Sequence, residues 1–310
     1  MIGRMISFAA LLTVCCTSGS AIAENPLRAD QSQVLVWRGC SVAKVAFMER
    51  CAAAYEQETG IQVRLSGGGA TLGIEAAGSG GADLGGTCRA CLKRLNEDLL
   101  GVKLAIVAWD ALVVVVHPDN PVENITREQL RQVLQQKITN WQALGGRDEK
   151  IVVVARREKT AGVDYSMRVM ILGDPDFTFG RTAVLLSSTG PVEELVAEQP
   201  RAIAVTGVSS AQKRKLKILA IDGYKPTPEN IADGTYPYFR PLYLAYKPEN
   251  AKAKQFVDWM ISDRGQQIVA AEGTVTLAQG AGLAARYRYY EDVRQITNYA
   301  TLIDKAPRGP

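Results

Sequence analysis

Residues 104–118, LAIVAWDALVVVVHP, constrain the fold more than any other stretch of this sequence. The run is apolar at almost every position and rich in valine, the pattern of a strand buried on both faces. It is also about twice the length of a usual strand. Such a strand can start in one body and end in another, which places a lobe crossing around Val113 to Pro118. A second crossing is expected in the segment from Asp233 to Arg240. A chain that leaves a lobe and later returns to it makes two lobes that share a hinge.

The rest of the chain alternates strand-like and helix-like runs. Strands are expected at QVLVW (33–37), IQVRLS (61–66), ADLGGT (82–87), KIVVVARRE (150–158), RAIAVTGV (201–208) and RPLYLAY (240–246). Between the first two, Val42, Val45, Met48, Ala52 and Tyr55 recur at helical spacing, and Gly60 supplies a stop. GIEAAGSG (73–80) reads as a short helix. Thr126 and Gln129 have capping-box spacing ahead of an apolar-periodic helix. TAGVDYSMRVMIL (160–172) and PVEELVAEQP (191–200) are further helices, and residues 251–273 read as one long helix. Strands alternating with helices define an α/β chain with parallel sheet. At 310 residues and 47% hydrophobic, there is ample material for a large core.

The first residues, MIGRMISFAALLTVCCTSGSAIAEN, carry Arg4, an apolar run from Met5 to Cys16, and Ala21-Ile22-Ala23. These are the three regions of a secretory signal over residues 1–23, with cleavage expected after Ala23. A membrane anchor is disfavoured because the run is short for a span. A lipoprotein through Cys15 or Cys16 ranks second, since Thr13-Val14 is a poor lipidation context. The formal net charge of +4 includes no long basic run, so nucleic acid is not expected as a partner.

Removing the signal leaves four of the six cysteines, Cys40, Cys51, Cys88 and Cys91. An even count in an exported chain favours disulfides. Cys88 and Cys91 form a CxxC, which also fits a metal site or a redox pair. Leu92 excludes haem attachment, which needs histidine there, and a four-cysteine zinc site lacks a second CxxC. Cys40 and Cys51 lie mostly along one helix and so ~16 Å apart, whereas a disulfide needs Cα atoms within ~7 Å. His117, the only histidine, stands beside Pro118 at a strand exit, where a hinge or surface role outweighs a catalytic one. Trp109, Trp141 and Trp259 fall in apolar runs and are expected to pack. No P-loop, dinucleotide fingerprint or metalloprotease helix is present.

Taken in order, GGGATLGIEA, ADLGGTCR, HPDNPVENIT, QQKITNWQALGG, VVVARRE, DGTYPYFRPLYLAYKPE and FVDWMISDRGQQIVAAEGTVTL resemble periplasmic phosphate-binding proteins of ABC importers, over nearly all of the mature chain. The resemblance implies a type II periplasmic-binding-protein fold, in which each lobe is a mostly parallel sheet flanked by helices and two crossover strands form the hinge. Lobe 1 would comprise 24–115 with 236–310, and lobe 2 would comprise 116–235. An anion would be held in the cleft, and Glu75 and Asp83 match structural positions.

A tetrahedral oxyanion in a closed cleft loses its water and needs N–H groups, hydroxyls and a bidentate arginine instead. The resemblance assigns four loops to this task. The first is Cys40-Ser41, where the family has small hydroxyl residues; Ser41 also fits a plain N-cap. The second holds Ala70 and Thr71, with alanine in place of the family's serine. The third is Thr87-Cys88-Arg89, which lacks the family's frequent carboxylate; Arg89 fits a surface or a cleft position equally. The fourth runs from Arg157 through Thr160, Ala161 and Gly162, with Arg157 assigned as the fork donor. Because the loops of Cys40 and Cys88 flank one cleft in this family, cross-loop bridges are implied: Cys40 with Cys88 or Cys91, and Cys51 with the other. A local Cys88–Cys91 bridge is the alternative.

The expectation is therefore an exported, periplasmic, monomeric solute-binding protein that is not an enzyme, with no cofactor and no metal. It would deliver phosphate or an analogue to an inner-membrane ABC permease or a sensor kinase. Two rivals stand beside it. One is a thiol-based binder of a soft metal or metalloid such as arsenite, using Cys40, Cys88 and Cys91. The other is an enzyme or adhesion protein that keeps only the shell.

Overall fold

The computed structural model describes residues 33–305, so the signal reading of residues 1–23 lies outside the described residues. Eleven strands occur among them: β1 Val34–Gly39, β2 Gln62–Gly67, β3 Leu84–Thr87, β4 Lys103–Val116, β5 Asn124–Ile125, β6 Val152–Arg156, β7 Val184–Leu186, β8 Ala202–Gly207, β9 Lys217–Ile218, β10 Ala220–Ile221 and β11 Phe239–Tyr246. Nine of these join in the order β2-β1-β3-β11-β4-β8-β6-β7 with β9 beside β4, while β10 pairs β5.

The 14-residue strand β4 joins the two lobes. Its residues up to Ala111 pair with β11, starting from Phe239. From Leu112 onward it pairs with β8 instead, Leu112 lying opposite Gly207. Every β4 residue after Lys103 is buried, and each fully buried valine contributes roughly 1.5–3 kcal/mol. The parallel character expected of each lobe holds between β10 and β5 and at the outer strands of the large sheet. There β1 pairs with β2 and β3 in parallel, and β6 with β7 and β8. Among the named strands, β4 and β11 pair only antiparallel; apart from these, Leu104 of β4 makes an isolated parallel bridge to Ile296.

Helices cover both faces. Ser41–Ala43 (α1), a π-helical stretch Lys44–Met48 and Glu49–Thr59 (α2) follow one another directly. They end at Gly60, whose φ of 74° is the left-handed cap that the sequence suggested. Helix α3 is Ala70–Ser79, starting three residues before the expected Gly73. In α4, Arg127–Leu134, the capping box between Thr126 and Gln129 is present in both directions. Then come α5 Gly162–Met167, α6 Thr189–Glu198, α7 Val208–Ala211 and α8 Pro228–Ala232.

The long helix expected over 251–273 is two helices, α9 Ala251–Ile261 and α10 Asp263–Ala271. Ser262 breaks them with an extended backbone, ψ 166°. Gly265 then lets α10 turn back, since a Cβ there would stand 2.5 Å from the carbonyls of Trp259 and Met260. Trp109 and Trp141 are buried and Trp259 packs partly exposed against the core, as expected. His117 lies just past β4, its Nδ1 accepting from the Asp119 amide. Asp83 accepts from the Val36 amide and the Asn250 side chain.

Candidate functional site

Three loops of the first lobe are fastened side by side by backbone hydrogen bonds. The Cys40 amide donates to the Gly86 carbonyl at 2.8 Å, and the Gly69 amide to the Gly39 carbonyl at 3.0 Å. Gly39 makes this approach feasible: its φ is 154°, and a Cβ would lie 2.2 Å from Gly86 O. The second lobe brings the loop between β6 and α5 against them. Gly162 packs so closely that a Cβ would fall 2.2 Å from Cys88 Sγ and 3.3 Å from the Ala70 Cβ. Ala70, Ala161 and Gly162 are all buried in this contact.

The arginine facing inward is Arg156, not Arg157. Arg156 ends β6 and is only 6% exposed. Its amide donates to Asp164 Oδ1 at 2.9 Å, and its Nη2 donates to Ser187 O at 3.1 Å. Burial, the largest influence on Asp164, raises the pKa of that carboxyl. The Arg156 Nε is buried without a partner. Its Nη1 lies 3.2 Å from the point where a Cβ on Gly69 would stand. Gly69 is the N-cap of α3, a 10-residue helix that receives no side-chain cap. First-turn N–H groups lack intrahelical acceptors and carry the positive end of the dipole. A buried guanidinium with a spare N–H beside such an N-terminus presents donors of the kind that suit an anion.

Arg157 is exposed, and its amide donates to Leu186 O. The strand period sends adjacent side chains to opposite sides, so only one of the pair can face the cleft. The acidic neighbour Glu158 pairs with Arg156, at 3.5 Å.

Arg89 is neither a surface residue nor a free donor. It is 2% exposed and pairs with the buried Glu97 carboxylate through Nη1 at 2.6 Å and Nη2 at 2.8 Å. From there Nη2 also reaches Thr71 Oγ1 at 2.9 Å, and Nε donates to Thr160 O in the other lobe at 2.8 Å. Thr71 Oγ1 stands 3.3 Å from Thr160 Oγ1, which donates to Glu158 at 3.0 Å. The Thr87 hydroxyl donates to Arg89 O at 2.7 Å and holds the turn. Ser41 is half-buried, and Cys40 rather than Ser41 takes the N-cap place of α1, so the alternative reading of Ser41 as that cap does not hold. Beside the cleft, Arg89, Tyr165, Tyr287, Tyr289 and Tyr290 help line a cavity of about 160 Å³. Nothing in the sequence pattern had singled out these tyrosines.

The four described cysteines are buried free thiols, contrary to the expected disulfides. Cys40 Sγ and Cys88 Sγ are 3.1 Å apart, a contact rather than the ~2.05 Å of a bond. Cys51 is enclosed within α2, and Cys91 is buried near the Arg89–Glu97 pair, so neither stands in that contact. The hydrogen bond from Cys88 pulls the Cys40 thiol down to about 7, against the effect of burial and helped by the charge of Arg240. The same contact, with burial, pushes Cys88 well up. Arg240 is wholly buried on β11 and directly opposite Asp110 on β4, Nη2 to Oδ2 2.9 Å. Asp110 also accepts from the amide and hydroxyl of Ser209 at the start of α7. Among the described residues, no three His, Cys, Asp or Glu side chains converge as metal ligands, which removes support from the three-cysteine alternative.

Two α/β lobes joined by crossing strands, with loops of both meeting at the seam, define the fold of a two-lobed binding protein. The chain belongs to the PBP superfamily, whose domain model matches residues 40–264. It is similar to the phosphate-binding protein PstS of Bacillus subtilis, 24% identical over 276 residues, 86% of this chain and 91% of that one. It is also 31% identical to PstS of Borreliella burgdorferi over 183 residues, 56% of this chain and 65% of that protein, just short of two thirds of its length. Among solved structures, it is similar to a substrate-binding protein of Clostridium perfringens with bound phosphate. That match has a TM-score of 0.71 and 28% identity, over 78% of this chain and 99% of the other. An ABC-type phosphate transport receptor from Vibrio cholerae matches with a TM-score of 0.62 and 29% identity, over the same shares. Among the described residues, no helix is long and apolar enough to cross a membrane.

Proposed function

We propose that this chain is exported and captures phosphate, or a close tetrahedral analogue, between its lobes, then passes it to a membrane importer or a sensor. The carrying observation is Arg156: a buried guanidinium with an unpartnered Nε, set against the uncapped N-terminus of α3. The names and ligands of the relatives support the same anion. Arg156 and the α3 N–H groups would carry the negative charge, and Ser41 would add a hydroxyl. Thr71 and Thr160 hold the lobes together and shape the site's edge. The task is desolvation and multipoint hydrogen bonding, with no covalent step, so we assign no enzymatic activity. β4 exchanges β11 for β8 between Ala111 and Leu112, which supports a lobe crossing four residues before the expected boundary at 115–116.

Calorimetry with phosphate, sulfate, molybdate and arsenite tests this reading. Phosphate should bind the wild-type chain with a measurable heat that Arg156→Ala abolishes. No heat with any oxyanion would refute anion capture.

A further inference from the structure

Cys40 and Cys88 stand on two of the loops that form the cleft, yet anion capture as described uses neither sulfur. Their backbones are locked side by side, Gly39 pairing with Gly86 in the β1–β3 ladder and Cys40 N–H bonded to Gly86 O. The sulfurs are 3.1 Å apart, so about 1 Å of approach would bond them. Behind them lies Arg240, wholly buried, with Nη2 on Asp110 and Nη1 unpartnered. Its charge acts on both sulfurs. In front, Gly162 of the other lobe covers Cys88. Paired thiols thus sit between a buried arginine and the facing lobe.

We propose that Cys40 and Cys88 are a redox couple that sets the anion affinity of the cleft, weaker as the dithiol and stronger as the disulfide. The proposal rests on the anion-capture reading above. With the lobes apart, the Cys40 thiolate attacks one sulfur of an external disulfide RSSR, forming a mixed disulfide and releasing RS⁻. Cys88 then gives its proton to the released RS⁻ and attacks Cys40 Sγ, expelling the second RS⁻, which takes from solvent the proton that Cys40 had lost on ionising. Two protein thiols become one disulfide and RSSR becomes two thiols, so two electrons pass to the reagent and no other oxidant is needed. The charges behind the cleft change with it. Asp110 already offsets Arg240, so a Cys40 thiolate leaves a net negative charge beside the anion site. The disulfide carries none, which favours an incoming oxyanion.

The test uses the wild-type chain equilibrated with oxidised or reduced glutathione. Remaining thiols are alkylated after unfolding, the bonds are mapped by mass spectrometry, and phosphate affinity of each form is measured by calorimetry at pH 8. A single Cys40–Cys88 bond is expected, with Cys51 and Cys91 alkylated, and phosphate bound at least tenfold more tightly by the oxidised form. A bond to Cys51 or Cys91, or four alkylated thiols, overturns the couple, and equal phosphate affinity in both forms overturns the switch. If neither form binds phosphate, the capture reading falls and the switch with it, whereas the bond map is decided independently. Cys40→Ser should make affinity indifferent to the glutathione ratio, while Cys51→Ala should keep the response; a response lost in Cys51→Ala overturns the assignment.

Discussion

Arg240 and Asp110 face each other across β11 and β4 at 2.9 Å, both wholly buried, two residues before β4 exchanges β11 for β8. Removing one partner of such a pair leaves a buried charge uncompensated, at a cost of about 3–5 kcal/mol. Arg240→Met should therefore lower stability by about that much in urea unfolding. The double change Asp110→Leu with Arg240→Met should recover part of it, the remainder reflecting the lost acceptor for Ser209. A double variant no more stable than Arg240→Met would show that the pair is not the source of the loss.

Arg156 and Arg157 make a matched experiment. Losing a desolvated charge partner costs about 2–5 kcal/mol, so Arg156→Ala should weaken phosphate binding at least thirtyfold. Arg157→Ala removes an exposed side chain and should change affinity by no more than about twofold. The reverse ranking in calorimetry would return the ligand role to Arg157.

Gly162 tests closure. Its missing side chain leaves room for Cys88 Sγ, which a Cβ would meet at 2.2 Å. Overpacking costs about 1–3 kcal/mol, and here it falls on the seam between lobes. Gly162→Ala should reduce phosphate affinity about tenfold or more and enlarge the radius of gyration measured with phosphate in small-angle scattering. The melting temperature should move little. Unchanged affinity would mean that the lobes do not need this contact.

Thiol ionisation links the core to pH. Burial, reinforced by Glu272 for Cys51 and by Glu97 for Cys91, pushes both thiols up to about 12 from an ordinary 9.0. A folded value above the unfolded one means that their contribution is complete below about pH 9 and is lost as pH rises toward 12. Cys40 has the opposite sign: lowered to about 7, its contribution is present above pH 9 and is lost as pH falls through 7. Urea midpoints should fall between pH 9 and 11, and less steeply in Cys51→Ala with Cys91→Ala. Alkylation of the native chain should reach Cys40 first, with a midpoint near pH 7.

Much of this architecture was legible in local chemistry. Gly60 ended its helix, Thr126 and Gln129 capped theirs, and the valine run of β4 announced a strand buried through two bodies. The misses fall where one residue separates two outcomes. ARRE does not state which arginine points inward; that follows from where β6 ends and from Asp164, eight residues on, taking the Arg156 amide. Ser262 splits a periodic run because Gly265 permits a close turn that apolar spacing does not record. Cysteine parity suggested two bridges, but pairing depends on which thiols meet, and among the described cysteines only Cys40 and Cys88 do. Arg89 looked ambiguous because its partner Glu97 lies in a short helical turn without periodic pattern.

The hold of Arg89 on Thr160 has a kinetic consequence. Its donors are engaged by Glu97, Thr71 and the Thr160 carbonyl, all protein groups, so this part of the closing energy does not come from the ligand. A shut form favoured in advance raises apparent affinity, because less of the binding energy goes into shutting. Under the proposed anion capture, parting the lobes requires breaking the bond from Arg89 to Thr160, which would lengthen residence. On that proposal delivery, rather than capture, would be the slow event, and a receiving protein would speed it by drawing those two residues apart.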